Sequence, residues 1–300
     1  MSRPSLKNVI VYKAQLPSAE AMSDHLSKIP FTEVLESHFC SYGYIPNPVT
    51  NELVTPITDG YLLTFRFDQK ILPNAVIKKE VNERISKLKE DGIEFIEPDI
   101  KNTVTAEFLR KAFVKTITTL VLYHPSKEYL LVASSNKNIA NSAISTLIKA
   151  CGSVKTETIH IDDVSQGLTT RLLNTLNNKE ETDCFGKNFY LGQFYLLERK
   201  IDNKKEIVKY DADFNSIRDV LFDSLNNQFK INLIQLYTDD IQFKLTSDFH
   251  FKGIKPVNKI EFDDKDRVYR YRHECSLIMF YMTITIDFLI DLLKYKKNNN

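Results

Sequence analysis

Glycine is scarce in this sequence, and the motifs that depend on it are missing. Only eight of the 300 residues are glycine, and neither GxGxxG nor GxxxxGK(S/T) occurs. Loops of these types need glycine so that backbone N–H groups can approach a phosphate. The serine-hydrolase turn GxSxG and the zinc-protease motif HExxH are also absent. The sequence therefore argues against an ATP-driven machine and against these two classes of hydrolase.

Cysteine and long apolar runs are also sparse. The four cysteines form no CxxC pair, so we expect free thiols in a reducing cytosol. The N-terminus has no apolar stretch long enough for a signal peptide. The most apolar segment, Leu277–Leu293, is interrupted by Thr283, Thr285, Asp287 and Asp291, whereas a membrane span needs about 20 mostly apolar residues. We predict a buried strand followed by an amphipathic helix there, in a soluble cytoplasmic protein.

Charge is balanced in this chain. It has 40 Lys and Arg residues and 39 Asp and Glu residues, which gives a formal net charge of +1. Such a balance neither supports nor excludes a polyanionic partner, because a basic surface can be offset by acidic surfaces elsewhere. Any argument for nucleic-acid binding therefore depends on where the basic residues lie.

The order of apolar patterns predicts an α+β fold with mixed or antiparallel sheets. Strand-like runs occur in clusters that are separated by single helix-like runs. Apolar residues at spacings of four, four and three predict a helix after Pro73, and a second helix is predicted at Lys137–Cys151. Residues 119–134 have the pattern of a hairpin. A polar stretch at 178–183 suggests two regions, residues 1–178 and 179–300.

Other predictions depend on where an element begins or ends. Thr105 is a suitable N-cap for a helix whose apolar stripe continues to Phe113 and Ile117. Ile241–Phe251 has the pattern of one strand, and Glu198–Tyr210 is polar and turn-like. Strand-like runs are also present at 33–44 and 60–67.

Basic residues concentrate on four predicted segments: the helix after Pro73, the helix capped by Thr105, Glu198–Tyr210 and Arg267–His273. Lys111 and Lys115 are four residues apart, so they would share one face of the helix capped by Thr105. The segment Arg267–His273 interleaves Arg and Tyr, as some nucleic-acid surfaces do. Ordinary solvated faces of a soluble protein give the same patterns. The candidate phosphate contacts are Lys78, Lys79, Arg84, Arg110, Lys111, Lys115, Arg199 and Lys200.

Weak patterns for metal chemistry are also present. His38-x-Cys40 and His273-x-Cys275 would each place two zinc ligands on one face of a strand. Pro98-Asp99 with Glu198-Arg199-Lys200 loosely resembles the pattern of metal-dependent nucleases, but the separation is far too long. Asp239-Asp240 is better explained as a hairpin turn. We expect no catalytic residues, no metal and no cofactor.

Several segments, in order along the chain, resemble the RdgC family. KILPNAVIKKEVNERISKLK at 70–89 carries the ILP-x-x-VI-K core of that family, which is its most specific part. LKNVIVYK at 6–13 is similar to the opening strand and YGYIPNP at 42–48 to a glycine-aromatic segment. AEFLRKAF at 106–113 is similar to the central helix, and residues 130–153 follow the family's hairpin-to-helix passage.

The resemblance implies a homodimer of elongated subunits, closed by two interfaces into a ring whose basic hole is wide enough for duplex DNA. Such proteins bind DNA without sequence preference on the bacterial nucleoid and restrain RecA-mediated strand exchange, without catalysis. Single-stranded DNA and RecA are further candidate partners. Phe113 matches an aromatic residue at a ring-closing interface, and Lys111 and Lys115 match basic positions. Arg199 and Lys200 match a basic finger segment.

One segment departs from the family pattern. The linker GIEFIEPDIKN at 92–102 is net acidic, whereas family members can have a lysine-rich linker there. An acidic linker weakens the case for DNA contact at this point. An alternative function therefore stays open: a protein-interaction module that inhibits RecA or a nuclease by direct contact, with DNA binding secondary.

Overall fold

The computed structural model describes residues 6–152, 154–158, 164–177, 184–257 and 266–293. In chain order the strands are β1 (Asn8–Gln15), β2 (Cys40–Ile45), β3 (Val54–Ile57), β4 (Gly60–Lys70), β5 (Val114–His124), β6 (Tyr129–Val132), β7 (Lys155–Thr158), β8 (Tyr190–Ile201), β9 (Lys204–Asp211), β10 (Lys230–Tyr237), β11 (Ile241–Thr246) and β12 (His250–Pro256). The helices are α1 (Ala19–Ser27), α2 (Asn74–Glu90), α3 (Glu97–Lys111), α4 (Lys137–Cys151), α5 (Val164–Asn177), α6 (Phe214–Asn226) and α7 (Arg267–Leu293).

The strands form one antiparallel sheet in the order β2-β4-β5-β6-β1-β12-β11-β10-β8-β9. β3 pairs with β4 on the same edge as β2, and β7 pairs with β1 on the same edge as β12. The first strand therefore lies in the middle of the sheet, where Val11 is opposite Leu131 of β6 and Val9 is opposite Phe251 of β12. The predicted α+β class is confirmed.

Helices cover the sheet on both faces and bury two cores. On β1, Ile10 and Tyr12 pack into a core under α1 and α4, whereas Val9 and Val11 face a core under α5, α6 and α7. Successive side chains of a strand point to opposite faces, so a strand that is buried on both faces is a continuous apolar run. This is why VIVY at 9–12 has no polar residue.

Three predicted elements of the first half are confirmed. α2 begins directly after Pro73, which fixes the backbone before the first turn. α4 spans the predicted range, with the Asn136 side chain accepting a hydrogen bond from the Asn138 N–H. It ends at Gly152, which has a φ of +79°. The β5–β6 hairpin lies at the predicted position, around a 3-10 turn at Pro125–Lys127.

The helix predicted to begin at Thr105 is wrong at both ends. α3 already begins at Glu97, because Pro98 is favoured in a first turn and the carboxylates of Glu97 and Asp99 interact well with the helix dipole. It ends at Lys111, since Ala112 is extended, and β5 starts two residues later. Lys111 and Lys115 therefore do not share a helix face. Phe113 lies between α3 and β5, and Ile117 belongs to β5.

The strand predicted at the start of Leu277–Leu293 is also wrong. The whole region from Arg267 is one 27-residue helix, α7. The segment contains neither proline nor glycine, and the β-branched run TITI at 283–286 imitates a strand. The Arg–Tyr alternation at 267–273 therefore winds around a helix and does not form one surface.

Among the described residues, α7 is long and apolar enough to cross a membrane, judged by length and composition. The core helix of a soluble protein can have the same composition. In this fold Cys275, Met279, Ile286 and Leu289 of α7 are buried against the sheet. That packing accounts for the apolar residues on one side of α7, whereas Phe280 is exposed.

In the second half, the turn-like prediction for Glu198–Tyr210 is wrong, because this segment forms most of the hairpin β8–β9. The predicted strand at 241–251 divides into β11 and β12 around Phe249, whose φ is +59°. The predicted strand at 33–44 begins only at Cys40. Asp239-Asp240 does connect two paired strands, β10 and β11, as predicted. The proposed domain boundary at 178/179 lies outside the described residues, and the sheet is continuous between the regions on either side.

Candidate nucleic-acid interface

Helices α2 and α3 form a hairpin with a small core of its own. Ile77 and Val81 of α2 pack against Val104 of α3, apart from the two cores of the sheet. Lys78 and Lys79 follow Ile77 and are exposed to solvent. Lys79 lies 3.8 Å from Glu83, a weak surface pair. Both lysines therefore remain accessible to an anionic partner.

Arg84, unlike Lys78 and Lys79, forms hydrogen bonds within this hairpin and links α2 to α3. Its Nε donates to Glu80 at 2.8 Å, and its Nη atoms donate to both carboxylate oxygens of Glu107 at 2.7 and 3.0 Å. These hydrogen bonds raise the pKa of Arg84, and the hydrogen bond from Arg84 lowers the pKa of Glu107. A guanidinium held by two carboxylates has little charge left for a phosphate, so the geometry favours a structural role for Arg84.

The remaining candidates of the first half lie around the base of the hairpin. Arg110 and Lys111 are exposed in the last turn of α3. Lys115 is exposed on β5, opposite Gln69. These three cations come from two different elements, so they surround the junction between α3 and β5 and do not form one stripe.

An apolar patch lies at this same junction. The Phe113 side chain is 85% exposed, and its carbonyl accepts a hydrogen bond of 2.9 Å from the Ile71 N–H. The neighbouring Lys70 N–H donates to the Phe39 carbonyl at 2.9 Å, so Phe39 lies on the other side of the same segment. The apolar patch consists of the exposed residues Leu35, Phe39, Ile71, Phe113 and Val114. Large exposed apolar patches mark sites of protein association.

The finger hairpin, residues 198–209 of β8 and β9, carries the last two candidates. Its two-residue turn is Asp202-Asn203, and both residues have positive φ, as in the turns that suit tight hairpins. Arg199 is held by Glu206 at 2.7 Å and by the Asn227 carbonyl at 2.9 Å. Lys200 and Lys204 are exposed and pair with no carboxylate among the described residues. Lysines on an edge strand also prevent unwanted strand pairing.

An open face of the sheet adjoins the finger hairpin, and the sequence did not predict it. Alternate residues of β8, β10 and β11 enter the core under α5–α7, and the core under α1 and α4 contains no described residue beyond 151. The opposite face therefore carries Phe194 with two ammonium groups over its ring: Lys244 at 3.5 Å and Lys209 at 5.1 Å from the centroid. Tyr190 and Tyr237 stack on the same face at 5.5 Å.

Phe194, Lys209 and Lys244 are distant in sequence, so only strand pairing brings them together. Phe194 is opposite Asp211 at the end of β9, and Lys244 is on β11, two strands away from β8. The period-two pattern of FYLLERK and IQFKLT could have indicated that polar and basic residues face away from the core. The register that clusters them is not visible in the sequence.

Metal ligation has little geometric support. No group of three or more His, Cys, Asp or Glu side chains could hold a metal ion within the part of the chain that the structure describes. His273 and Cys275 lie on helix α7, not on a strand, with His273 exposed and Cys275 buried. Asp99 lies in the first turn of α3. Glu198 pairs with Lys205 at 2.5 Å and accepts a hydrogen bond from Asn232.

Comparison with known proteins places this fold in a family. Residues 5–295 match the family model described as "Putative exonuclease, RdgC". The chain belongs to the RdgC family. The resemblance of the ILP segment and its collinear neighbours is thereby confirmed.

Curated relatives in the RdgC family are distant in sequence. The recombination-associated protein RdgC of Neisseria meningitidis serogroup C (strain 053442) is 23% identical over 254 residues, covering 83% of this chain and 82% of the relative. That of Sodalis glossinidius (strain morsitans) is 28% identical over 157 residues, covering 49% of this chain and 52% of the relative. The matched part is therefore about half of the Sodalis protein, but most of the Neisseria protein.

Proposed function

We propose that this chain is a non-enzymatic DNA-binding protein of the bacterial cytoplasm and nucleoid. Two copies close into a ring around duplex DNA and restrain RecA-mediated strand exchange by occupying the DNA. The observation that carries the proposal is the surface formed by the finger hairpin and the open sheet face. There Lys200, Lys204 and Lys244 are available without helices to cover them. Cations of this kind bind phosphates and release counterions regardless of base sequence. The name of the relatives supports the link to recombination.

The geometry narrows the set of phosphate contacts within this proposal. Arg84 and Arg199 are held by carboxylates, and we assign them to positioning the two hairpins. Lys244 joins the set because of the open sheet face, whereas Lys209 lies 3.4 Å from the Asp211 carboxylate and is left out. The proposed phosphate contacts are Lys78, Lys79, Arg110, Lys111, Lys115, Lys200, Lys204 and Lys244.

The apolar patch around Phe113 is the proposed self-association surface. A two-fold dimer uses the same patch on both copies, so an exposed aromatic residue at its centre can meet its own symmetry mate. Among the described residues, Phe113 is the most exposed large apolar side chain. Anchors of this kind contribute most of the binding energy of an interface.

Duplex binding at two salt concentrations tests the proposal. A dimer that makes about six phosphate contacts should lose roughly 10³-fold in affinity between 50 and 200 mM salt. The pair Lys200→Ala and Lys204→Ala should weaken binding and reduce the salt dependence. The matched control is the pair Lys28→Ala and Lys149→Ala, whose lysines are exposed directly after α1 and on α4, and it should change neither. Duplex binding that is absent or insensitive to salt would contradict the proposal.

A second function is favoured by the connection between α2 and α3. Ile93 and Ile96 are exposed there among Asp91, Glu94 and Glu97, a combination suited to a basic protein partner and not to DNA. A module that inhibits RecA or a nuclease by direct contact would bind its target without DNA, and salt-insensitive or absent duplex binding would favour it.

Because the family model is described as an exonuclease, the same DNA should also be incubated with Mg²⁺ or Mn²⁺, where cleavage would show catalysis.

A further inference from the structure

A cleft of about 610 Å³ lies beside the finger hairpin. It is bounded by the first turns of α5, the residues after α6, and the adjacent parts of β8 and β10. Ligand sites in proteins have volumes of about 300–1,000 Å³. The cleft is therefore large enough for a small organic molecule, and it adjoins one of the proposed phosphate contacts, Lys200.

The interior of the cleft combines apolar and polar atoms. Leu173, Leu225 and Phe229 contribute apolar surface. Ser165 and Thr169 also line it, but their hydroxyl groups already bond to the backbone of Ile231. The apolar walls therefore suit a planar ring that is inserted between the helices and the sheet.

Cations lie at the entrance of this cleft. The Arg199 guanidinium lies 4.4 Å from the centroid of the Phe229 ring, and its bond to the Asn227 carbonyl fixes it there. Lys200 is exposed and also lines the cleft. Glu198 is the acidic lining residue, and Lys205 and Asn232 occupy its carboxylate. The entrance therefore suits an anionic group attached to the inserted ring.

We propose that this cleft binds a single unpaired nucleotide, with the base between Leu173 and Phe229 and the phosphate at Lys200. The inference rests on the proposed function where the nucleotide belongs to a DNA strand. A free nucleotide has the same chemistry, so the two sources have to be separated by experiment. In either case the cleft adds a recognition of unpaired bases to a surface that otherwise binds only backbone.

The test compares DNA ends. A duplex with a short single-stranded overhang should bind the full-length protein about fivefold more tightly than a blunt duplex of equal length, the low end of what one held base contributes. Gln166→Trp puts a large ring at the exposed edge of the cleft and should remove this preference. Gln166→Ala is the matched control and should keep it. Equal binding of the two duplexes by the wild-type protein would overturn the DNA form of the inference.

Calorimetric titration with a deoxynucleoside 5′-monophosphate, and with inorganic phosphate, completes the test. If the nucleotide binds the wild-type protein and Gln166→Ala but not Gln166→Trp, the result supports a nucleotide site in the cleft even when no DNA binds. The further inference can therefore succeed when the proposed DNA-binding function fails. Equal binding of nucleotide and phosphate, or binding unaffected by Gln166→Trp, would refute a base-binding cleft. If the free nucleotide abolishes the preference for the overhang duplex, the free nucleotide and the unpaired nucleotide of DNA bind the same site.

Discussion

A positive side chain on this surface can serve a polyanion only if no carboxylate already holds it. Arg84 and Arg199 have charges that neighbouring glutamates hold at 2.7 Å. Lys78, Lys200 and Lys204 are exposed without such a partner among the described residues. Counting basic residues in the sequence treats all five as equal. The hydrogen-bond geometry divides them into residues that stabilise hairpins and residues that can reach phosphate.

The variant Phe113→Ala tests whether the Phe113 side chain lies on the surface, as in the structure, or in the core of a helix, as the sequence pattern allowed. Because Phe113 is 85% exposed, its truncation should change the free energy of unfolding by less than about 0.5 kcal/mol. Urea denaturation measures this. The same variant should weaken the dimer in sedimentation experiments, since it removes the centre of the apolar patch.

Leu109→Ala is the control, because Leu109 lies on α3, four residues before Phe113, and is 4% exposed. Truncating a buried leucine costs about 2–5 kcal/mol. A loss of that size in Phe113→Ala, with unchanged sedimentation, would show that Phe113 is not an interface residue.

The cysteines should differ sharply in reactivity. Burial raises the pKa of Cys275 to about 12, and the thiolate is the reactive form. Cys184 is exposed. A thiol reagent at pH 8 should therefore modify Cys184 within minutes and Cys275 only after unfolding. Mass spectrometry of the partly labelled protein measures the order, and early labelling of Cys275 would mean that α7 does not stay packed on the sheet.

At the scale of elements, the finger hairpin is a strand pair with an isolated outer end. The residue pairs Lys200–Lys205 and Ile201–Lys204 lie beyond Arg199, which donates to the carbonyl of Asn227 directly after α6. Removing both pairs brings Arg199 and Glu206 next to the Asp202-Asn203 turn. Because two residues leave each strand, every remaining side chain keeps its face.

The shortened hairpin should fold normally and bind duplex DNA more weakly. Each phosphate contact that is lost reduces the slope of log affinity against log salt by about 0.9, so the loss should be largest at low salt. The control retains the length but replaces Lys200, Lys204 and Lys205 by glutamine. Equal effects in both variants identify charge as the cause, whereas full binding by the shortened hairpin would remove the finger from the interface.

Element boundaries explain most of what the sequence could not predict. Phe108 and Ala112 continue a helical spacing to Phe113, and nothing local indicates that Ala112 becomes extended. The sequence did not predict β9, because KKEIVKYD is charged and lies at the edge of the sheet. Few of its side chains are buried there, so the alternation of apolar and polar residues is weak. By contrast, α2 and α4 were predictable, since proline, asparagine and glycine mark their ends and one face of each is apolar.

At the scale of the whole molecule, the two candidate surfaces lie towards opposite ends of one sheet. The apolar patch adjoins β2, β4 and β5, and the finger hairpin includes β8 and β9 at the other edge. A subunit with an association surface at one end and a cationic surface towards the other is suited to enclosing a ligand with a second copy. The family resemblance predicted this division of roles, but the sheet order that separates the surfaces could not be derived from the sequence.

Enclosure has a measurable consequence. A closed ring should remain longer on a circular plasmid than on the same plasmid after linearisation, because it can slide off a free end. Salt challenge followed by gel filtration measures the retained protein. Phe113→Ala should abolish the difference by opening the ring. Equal retention on the two forms would indicate a protein that lies on the DNA without surrounding it.

The central place of β1 bears on how this protein is made. Its residues Asn8–Ile10 pair with β12, which lies 240 to 244 positions later in the chain. During synthesis β6 and β7 can pair with β1 earlier, but the edge of Asn8–Ile10 that faces β12 stays unpaired until β12 has left the ribosome. Long-range pairings of this kind slow folding and expose strand edges to aggregation. We expect nascent chains that stop before β12 to need chaperones.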